Sequence, residues 1–511
     1  MARKFAAVSA IVVLVVAGCG SSDDPSEETD TSESAAPPAR GTLVEAPPPR
    51  TASIAASDLL ALLNAGSTGT RLLELILAPE CGVDVHEIEY HTVDPVGAPI
   101  VSSGALMIPT GAEAVCQGPR PLLVYAHGTQ AERDFNIANL SDEDNIEGLS
   151  VAAVFAAHGY VVIAPNYAGY HTSTLPYHPY LHADQQAGEV LDALEAARSA
   201  LPTSFAPTVA DSGELFVTGY SQGGYVAMAA HRLLQQSGVA VTASAPMSGP
   251  YALSAFGDAV FYGQVVRSAP LVATLVAIGY QRAYGDIYAE PTDLFEARYA
   301  SGIESLLPTD GPRSALFSEG RLPADQLFSA TPPDPAYAPY TPATTPEVLA
   351  PVFALGFGPE HLITNAYRLA YLNDAQAHPD GGFPQATDGL PPAAPSHPLR
   401  QAFKANDLRT WLPTSPVLLC GGNEDPSVLF LNTGLMRDYW AAQGVTAPVD
   451  VLDLDEEASL GDPHAALKVG FAAAKEALAA DGGAMAVAEA YHSALVPPFC
   501  LAAVRSFFDS Q

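Results

Sequence analysis

The sequence predicts an α/β protein: a mostly parallel, twisted sheet with helices on both faces, interrupted late in the chain by a large, mainly helical insertion. Three observations carry this. Short apolar runs at 122–126, 160–164, 215–218, 239–243, 417–420 and 449–454 alternate with helical patterns at 151–158, 184–200 and 222–236, and such alternation builds parallel sheets covered on both faces. About 165 residues separate Pro250 from Ser415, far beyond an ordinary connection between neighbouring elements. The chain has 511 residues, 48% of them hydrophobic and 15% charged, which is enough apolar material for a sizeable core and too much for a disordered chain.

The charge is lopsided, 56 acidic against 22 basic residues for a formal net of −34. A basic footprint for a phosphate backbone is therefore missing, and nucleic acid is excluded as a partner. Excess acid favours solubility but says nothing about chemistry.

The elements follow in order. Arg3 and Lys4 precede an uncharged run, 5–17, which reads as an export signal. Its 13 residues fall short of the roughly 20 that a spanning helix needs. Val16-Ala17-Gly18-Cys19 reads as a lipobox, so 1–18 is a signal peptide and Cys19 the lipidated first residue of an exported cell-envelope lipoprotein, in the outer membrane or at the cell surface. An ordinary secretory signal with a chance cysteine is the alternative. Residues 19–50 are rich in Ser, Asp, Glu, Pro, Ala and Thr, offer little to bury, and read as a disordered tether.

Four cysteines remain: Cys81, Cys116, Cys420 and Cys500. Export implies an oxidising compartment, and no C-x-x-C occurs, so pairing is expected rather than metal binding. Of three connectivities, Cys81–Cys116 across an early hairpin and Cys420–Cys500 between a late strand and the last helix are favoured; buried free thiols are the alternative.

An α/β core is expected over 51–250 and 416–511, with the insertion over 251–415. The core opens on an antiparallel hairpin, 85–107, turning at Asp94-Pro95-Val96-Gly97. The insertion carries helical segments at 291–305 and 346–370 and an uncharged stretch, 269–280, which reads either as its core helix or as a lid.

The strongest local signal is Gly219-Tyr220-Ser221-Gln222-Gly223-Gly224, directly after the run 215–218 and opening the helical pattern at 222. A serine on a sharp strand-to-helix turn needs small neighbours on both sides, which Gly219 and Gly223 supply. The helix behind it aims its positive end at developing negative charge. A structural Gly-rich turn is the bland reading, and the strand-before, helix-after context weighs against it.

On these residues the chain resembles the α/β-hydrolases, and more narrowly the secretory lipases and esterases of the lipase A-like type, over about 85–508. The resemblance implies that the insertion is a cap before the strand that carries the catalytic acid. It implies that His127-Gly128-Thr129 ends a strand where the family places an oxyanion-hole donor, so that Thr129 and Gln222 supply the backbone N–H groups, while His127 shapes the loop. Gly422-Asn423-Glu424-Asp425-Pro426-Ser427-Val428 matches the family's acid turn and makes Asp425 the triad acid, with Glu424 solvated; a turn-capping role for Asp425 is the alternative. Chain order Ser, Asp, His leaves His464 and His492 as bases. His492, before the expected closing helix 499–508, is preferred; His464 is the alternative base. The 67 residues between Asp425 and His492 are unusual for the family and hold an extra helix at 465–480.

Other clusters carry less. His178 and His182 could share a helix face for zinc, but Pro179 interrupts them and no carboxylate completes the set. A pocket rim or an ordered loop is the better reading for His171, His178, His182 and the tyrosines around them. Asn166 is given no catalytic role, and the acidic run 453–457 reads as a solvated strand end. No metal and no cofactor is expected. The function expected is a membrane-tethered serine esterase or lipase acting on small-molecule or lipid esters. A serine peptidase or amidase of the same fold, or a non-catalytic surface-binding lipoprotein, are the alternatives. Oligomeric state is not legible.

Overall fold

The nine strands β1 (Arg50–Ile54), β2 (Gly82–Val93), β3 (Pro99–Thr110), β4 (Gly118–Ala126), β5 (Val161–Pro165), β6 (Val209–Tyr220), β7 (Ala243–Met247), β8 (Val417–Gly421) and β9 (Val449–Asp453) form one sheet in the order β1-β2-β3-β5-β4-β6-β7-β8-β9. From β5 to β9 across the sheet all neighbours are parallel, and β1 to β3 extend it antiparallel. The computed structural model describes residues 38–142 and 144–511. The expected signal segment, Cys19 and the first part of the tether lie outside the described residues.

Alternation along β4 explains the layers. Leu122, Val124 and Ala126 join one buried cluster with helices Ala183–Ala200 and Gln222–Gln236; Leu123 and Tyr125 join another with helices Ile146–Val154 and Val496–Asp509. Period-two side chains on a strand covered on both faces require this near-continuous apolar run.

Three expectations shift. The tether was expected to extend to residue 50, but Gly41 N–H donates to the His91 carbonyl (2.9 Å), Val44 N–H to that of Glu89 (2.8 Å), and Arg40 pairs with Asp192 (2.9 Å). Residues 40–44 thus lie along β2, because backbone groups and one guanidinium find partners that composition cannot show. The strand expected at 239–243 begins at Ala243 and ends at Met247. Its small residues suit close helix packing: a side chain at Gly224 would meet the Met247 carbonyl. Beyond that, β1 and the helices Ala56–Leu63 and Ser67–Leu75 were not anticipated.

Between β7 and β8 the described chain is helical and irregular, with no strand. Helices Leu253–Phe261, Ala269–Tyr284, Asn365–Ala377 and Pro398–Ala405 frame this cap. Buried ion pairs hold it: Arg400 with Asp258 and Asp374 at 2.8 Å each, and Arg409 with Asp380 (2.7 Å) and Asp407 (2.8 Å). Breaking such a pair from one side costs about 3–5 kcal/mol, because a buried charge is left alone. The disulfides Cys81–Cys116 and Cys420–Cys500 form as favoured, each with Cα atoms 5.7 Å apart. The second ties β8 to the last helix, and loops of these lengths lose roughly 4 kcal/mol of chain entropy per crosslink in the unfolded state.

Candidate active site

Ser221 stands between β6 and helix Gln222–Gln236 with φ 60° and ψ −121°, a conformation that costs a non-glycine residue energy and is held only by its surroundings. Its N–H donates to the Met247 carbonyl at 3.0 Å. A side chain at Gly219 would strike the Gly223 carbonyl, and one at Gly223 the Ala126 carbonyl. These two glycines let the elbow close against the end of β4.

His492 lies in a widened helical turn, Tyr491–Leu495, between helices Ala465–Ala490 and Val496–Asp509. A loop was expected there, and the extra helix was expected to stop at 480; instead the helical path continues, bent at Gly483, whose φ is 74°. The Ser221 hydroxyl donates to His492 Nε2 at 2.8 Å, and His492 Nδ1–H donates to Asp425 Oδ2 at 2.7 Å. The other Asp425 oxygen accepts the N–H groups of Ser427 (2.8 Å) and Val428 (3.0 Å). Asp425 is 1% exposed and the His492 side chain 14%, so the carboxylate is fixed inside and the imidazole meets the cleft. The Tyr220 hydroxyl donates to the His492 carbonyl at 2.6 Å, tying the residue before the serine to the histidine.

His464 is elsewhere. Its Nε2 sits 2.8 Å from Asp450 Oδ2, and neither residue lines the cleft around Ser221.

That cleft has a volume of about 470 Å³ and is lined by Ser221, His492, Thr129, Gln222 and Glu147, among others. No hydrogen bond within the described residues engages the backbone N–H of Thr129 or of Gln222, whereas the Gly128 N–H is bound by Glu147 at 3.0 Å. Two free N–H groups beside the serine can receive a carbonyl oxygen that becomes negative. His127 is fully buried, its ring nitrogens near the Gly128 (2.7 Å) and Asn166 (3.0 Å) carbonyls, and burial lowers its pKa to about 4. It bridges the Gly128 and Asn166 backbone and does not reach Ser221.

The tyrosine- and histidine-rich segment proves more than a rim. Tyr180 and Thr129 share a hydroxyl hydrogen bond of 2.7 Å, and Gln222 Nε2 donates to His178 Nε2 at 2.7 Å. His178 Nδ1–H donates to the Ala168 carbonyl (2.8 Å), and burial lowers its pKa to about 3. The neutral ring therefore accepts from Gln222. One segment holds the side chains of both expected oxyanion residues, a role that neither the residue types nor their spacing announced.

The acidic run was also misjudged in part. Asp453 Oδ1 accepts the Asn423 N–H at 3.0 Å and Asp455 Oδ2 the Glu424 N–H at 2.9 Å, so both brace the acid turn. Glu424, expected to be solvated, pairs with Lys475 at 2.8 Å. The cap reaches the same turn, where Arg267 N–H donates to the Pro426 carbonyl at 2.9 Å.

Behind the cleft lies a second cavity of about 90 Å³ with almost wholly apolar walls. Leu181, Phe256, Val266 and Val272 border both spaces. Helix Ala269–Tyr284, read from sequence as core or lid, packs Leu275 and Tyr280 inward and turns Leu271 and Val272 to the cleft.

The prolyl oligopeptidase family matches residues 148–261, a stretch that includes the elbow. No curated protein matches the sequence. Among solved structures, the rice cell wall degrading esterase LipA of Xanthomonas oryzae, in a ligand-bound form, is 26% identical with a TM-score of 0.66, covering 93% of this chain and 100% of that one. A Legionella pneumophila protein, provisionally named as a hydrolase, aligns at 18% identity and TM-score 0.62 over 92% and 97%. Lipase A of Candida antarctica, in its closed state, aligns at 12% identity and TM-score 0.48 over 81% and 76%, too distant to weigh.

Proposed function

We propose, from the premise that this chain is an esterase-like protein of the α/β-hydrolase fold, that it hydrolyses carboxylic esters through a Ser221-His492-Asp425 triad. The observation that carries the reading is the unbroken hydrogen-bond path from Ser221 through His492 to Asp425 at the head of a cleft backed by an apolar cavity.

The chemistry is acyl transfer in two halves. Ser221 Oγ bonds to the ester carbonyl carbon as His492 Nε2 takes its proton, and the carbonyl oxygen becomes an oxyanion facing the Thr129 and Gln222 N–H groups. The bond to the leaving alcohol then breaks, His492 returns the proton to it, and an acyl-Ser221 remains. Water repeats the sequence and frees the acid. Asp425 holds the ring in the Nδ1–H tautomer and stabilises the imidazolium. Each oxyanion donor contributes about 3 kcal/mol to such a barrier. The apolar cavity supports an apolar acyl group, since each buried methylene contributes about 0.8 kcal/mol.

A second reading, a serine peptidase or amidase, draws on the prolyl oligopeptidase match over the elbow. Hydrolysis of p-nitrophenyl esters of graded chain length beside peptide p-nitroanilides separates the two. Ester hydrolysis without anilide cleavage is expected, and preferential anilide cleavage would favour the peptidase. Export with a lipid on Cys19 belongs to the same proposal. Two disulfides are compatible with an oxidising compartment, and metabolic labelling with palmitate, lost in Cys19→Ala, tests it.

A further inference from the structure

Glu147 is a carboxyl group that the ester-hydrolysis scheme does not use, yet it borders the cleft with Ser221 and His492. It occupies the second position of helix Ile146–Val154, whose preceding residue, Asn145, accepts the Gly148 N–H at 3.1 Å. This cap fixes the first turn and so the direction of the Glu147 side chain. Both carboxyl oxygens accept the Gly128 N–H, at 3.0 and 3.2 Å, and one also accepts the Tyr125 hydroxyl at 2.8 Å. Gly128 immediately precedes Thr129, whose N–H has no partner among the described residues. One carboxyl therefore joins the end of β4 to the turn that presents the expected oxyanion donor.

We propose that Glu147 is a positioning residue for ester hydrolysis: by binding Gly128 it fixes the turn that aims the Thr129 N–H at the substrate carbonyl, and it serves best uncharged. The inference rests on the reading of Ser221 as nucleophile. An anion beside this turn opposes negative charge on the carbonyl oxygen, whereas a neutral carboxyl accepts the same two hydrogen bonds without that penalty. Burial raises the Glu147 carboxyl to about 7, against the opposing pull of Tyr125, Gly128 and His492. The group is thus neutral below this value and charged above it.

The groups that face Glu147 come from several elements. Tyr125 lies on β4, Tyr167 after β5 and Tyr220 at the end of β6, and burial pushes each phenol upward, so all three stay neutral. His492 faces it from the turn before the last helix. Asp144 on its own segment, and Arg267 and Glu489 beyond, line the same cleft.

The test compares wild type, Glu147→Ala, Glu147→Gln and Ser221→Ala on p-nitrophenyl acetate across pH, with thermal unfolding of each. Glu147→Ala strands the Gly128 N–H and the Tyr125 hydroxyl, and kcat is expected to fall about 10- to 100-fold with KM within about twofold. Glu147→Gln keeps an acceptor for both and carries no charge. It is expected to recover most of the lost kcat and to lack the decline above pH about 7 that is expected of the wild type. If Glu147→Ala fails to fold, the Glu147→Gln pH profile decides. A Glu147→Gln profile identical to wild type, or variants whose losses follow their melting temperatures alone, would overturn the inference. No Ser221-dependent hydrolysis in the wild type would overturn the functional reading, and this inference with it; hydrolysis with an unaltered Glu147→Ala overturns this inference only.

Discussion

The Tyr491 hydroxyl donates to Oδ2 of Asp455, and that same oxygen accepts the Glu424 N–H at 2.9 Å. Tyr491 precedes His492 and Glu424 precedes Asp425, so one carboxylate clasps the turn carrying His492 to the turn carrying Asp425. Outer partners of this kind set the orientation of reacting groups, and small displacements there are costly to rate.

Replacing Tyr491 by Phe removes only the hydroxyl from a residue that is 1% exposed. The ring still packs against Phe471, so the fold is expected to survive with about 1–2 kcal/mol less stability. The His492–Asp425 alignment loosens, and kcat for p-nitrophenyl acetate should drop about tenfold with KM little changed. Steady-state kinetics beside thermal denaturation checks this, and an unaltered kcat would show that the clasp is structural only.

The two histidines after Asp425 are separated by a direct comparison. Alanine at His492 removes the only imidazole within hydrogen-bonding reach of Ser221 among the described residues, and activity should fall by at least about 10⁴-fold. Alanine at His464 removes a contact to Asp450 outside the cleft and should leave most of it. Comparable losses in both variants would argue against this assignment of the base.

The apolar cavity makes a prediction about chain length. Ala273 lines it from the cap helix Ala269–Tyr284, and phenylalanine there would fill space that an acyl chain otherwise takes. For a decanoate ester, kcat/KM should fall about tenfold or more, because several buried methylenes at about 0.8 kcal/mol each lose their place. The acetate ester should suffer far less. Equal losses for both esters would mean that the cavity does not receive the acyl chain.

Much of this was legible in sequence because it was encoded locally. The elbow is a six-residue pattern, the acid turn a seven-residue one, and the alternation of Leu122 to Ala126 announces a doubly buried strand. What escaped was encoded by contact. Asp455 meets partners 31 and 36 residues away, and Glu147 meets Gly128 across 19; nothing in their neighbourhoods distinguishes them from surface acids. His178 and Tyr180 stood out by type, but their service to Gln222 and Thr129 depends on how the segment after β5 folds back. The displacement of β7 has a different cause: Val239 to Thr242 have the β-branched composition of a strand, while the true strand, Ala243–Met247, is made small by the helix it packs against.

Mass-spectrometric mapping of a fluorophosphonate adduct decides whether Ser221 is the nucleophile of an ester hydrolase. One covalent adduct is expected on the Ser221 peptide, formed in step with loss of p-nitrophenyl ester hydrolysis and absent from Ser221→Ala. Modification at another residue, or hydrolysis that persists in Ser221→Ala at the wild-type rate, would contradict it.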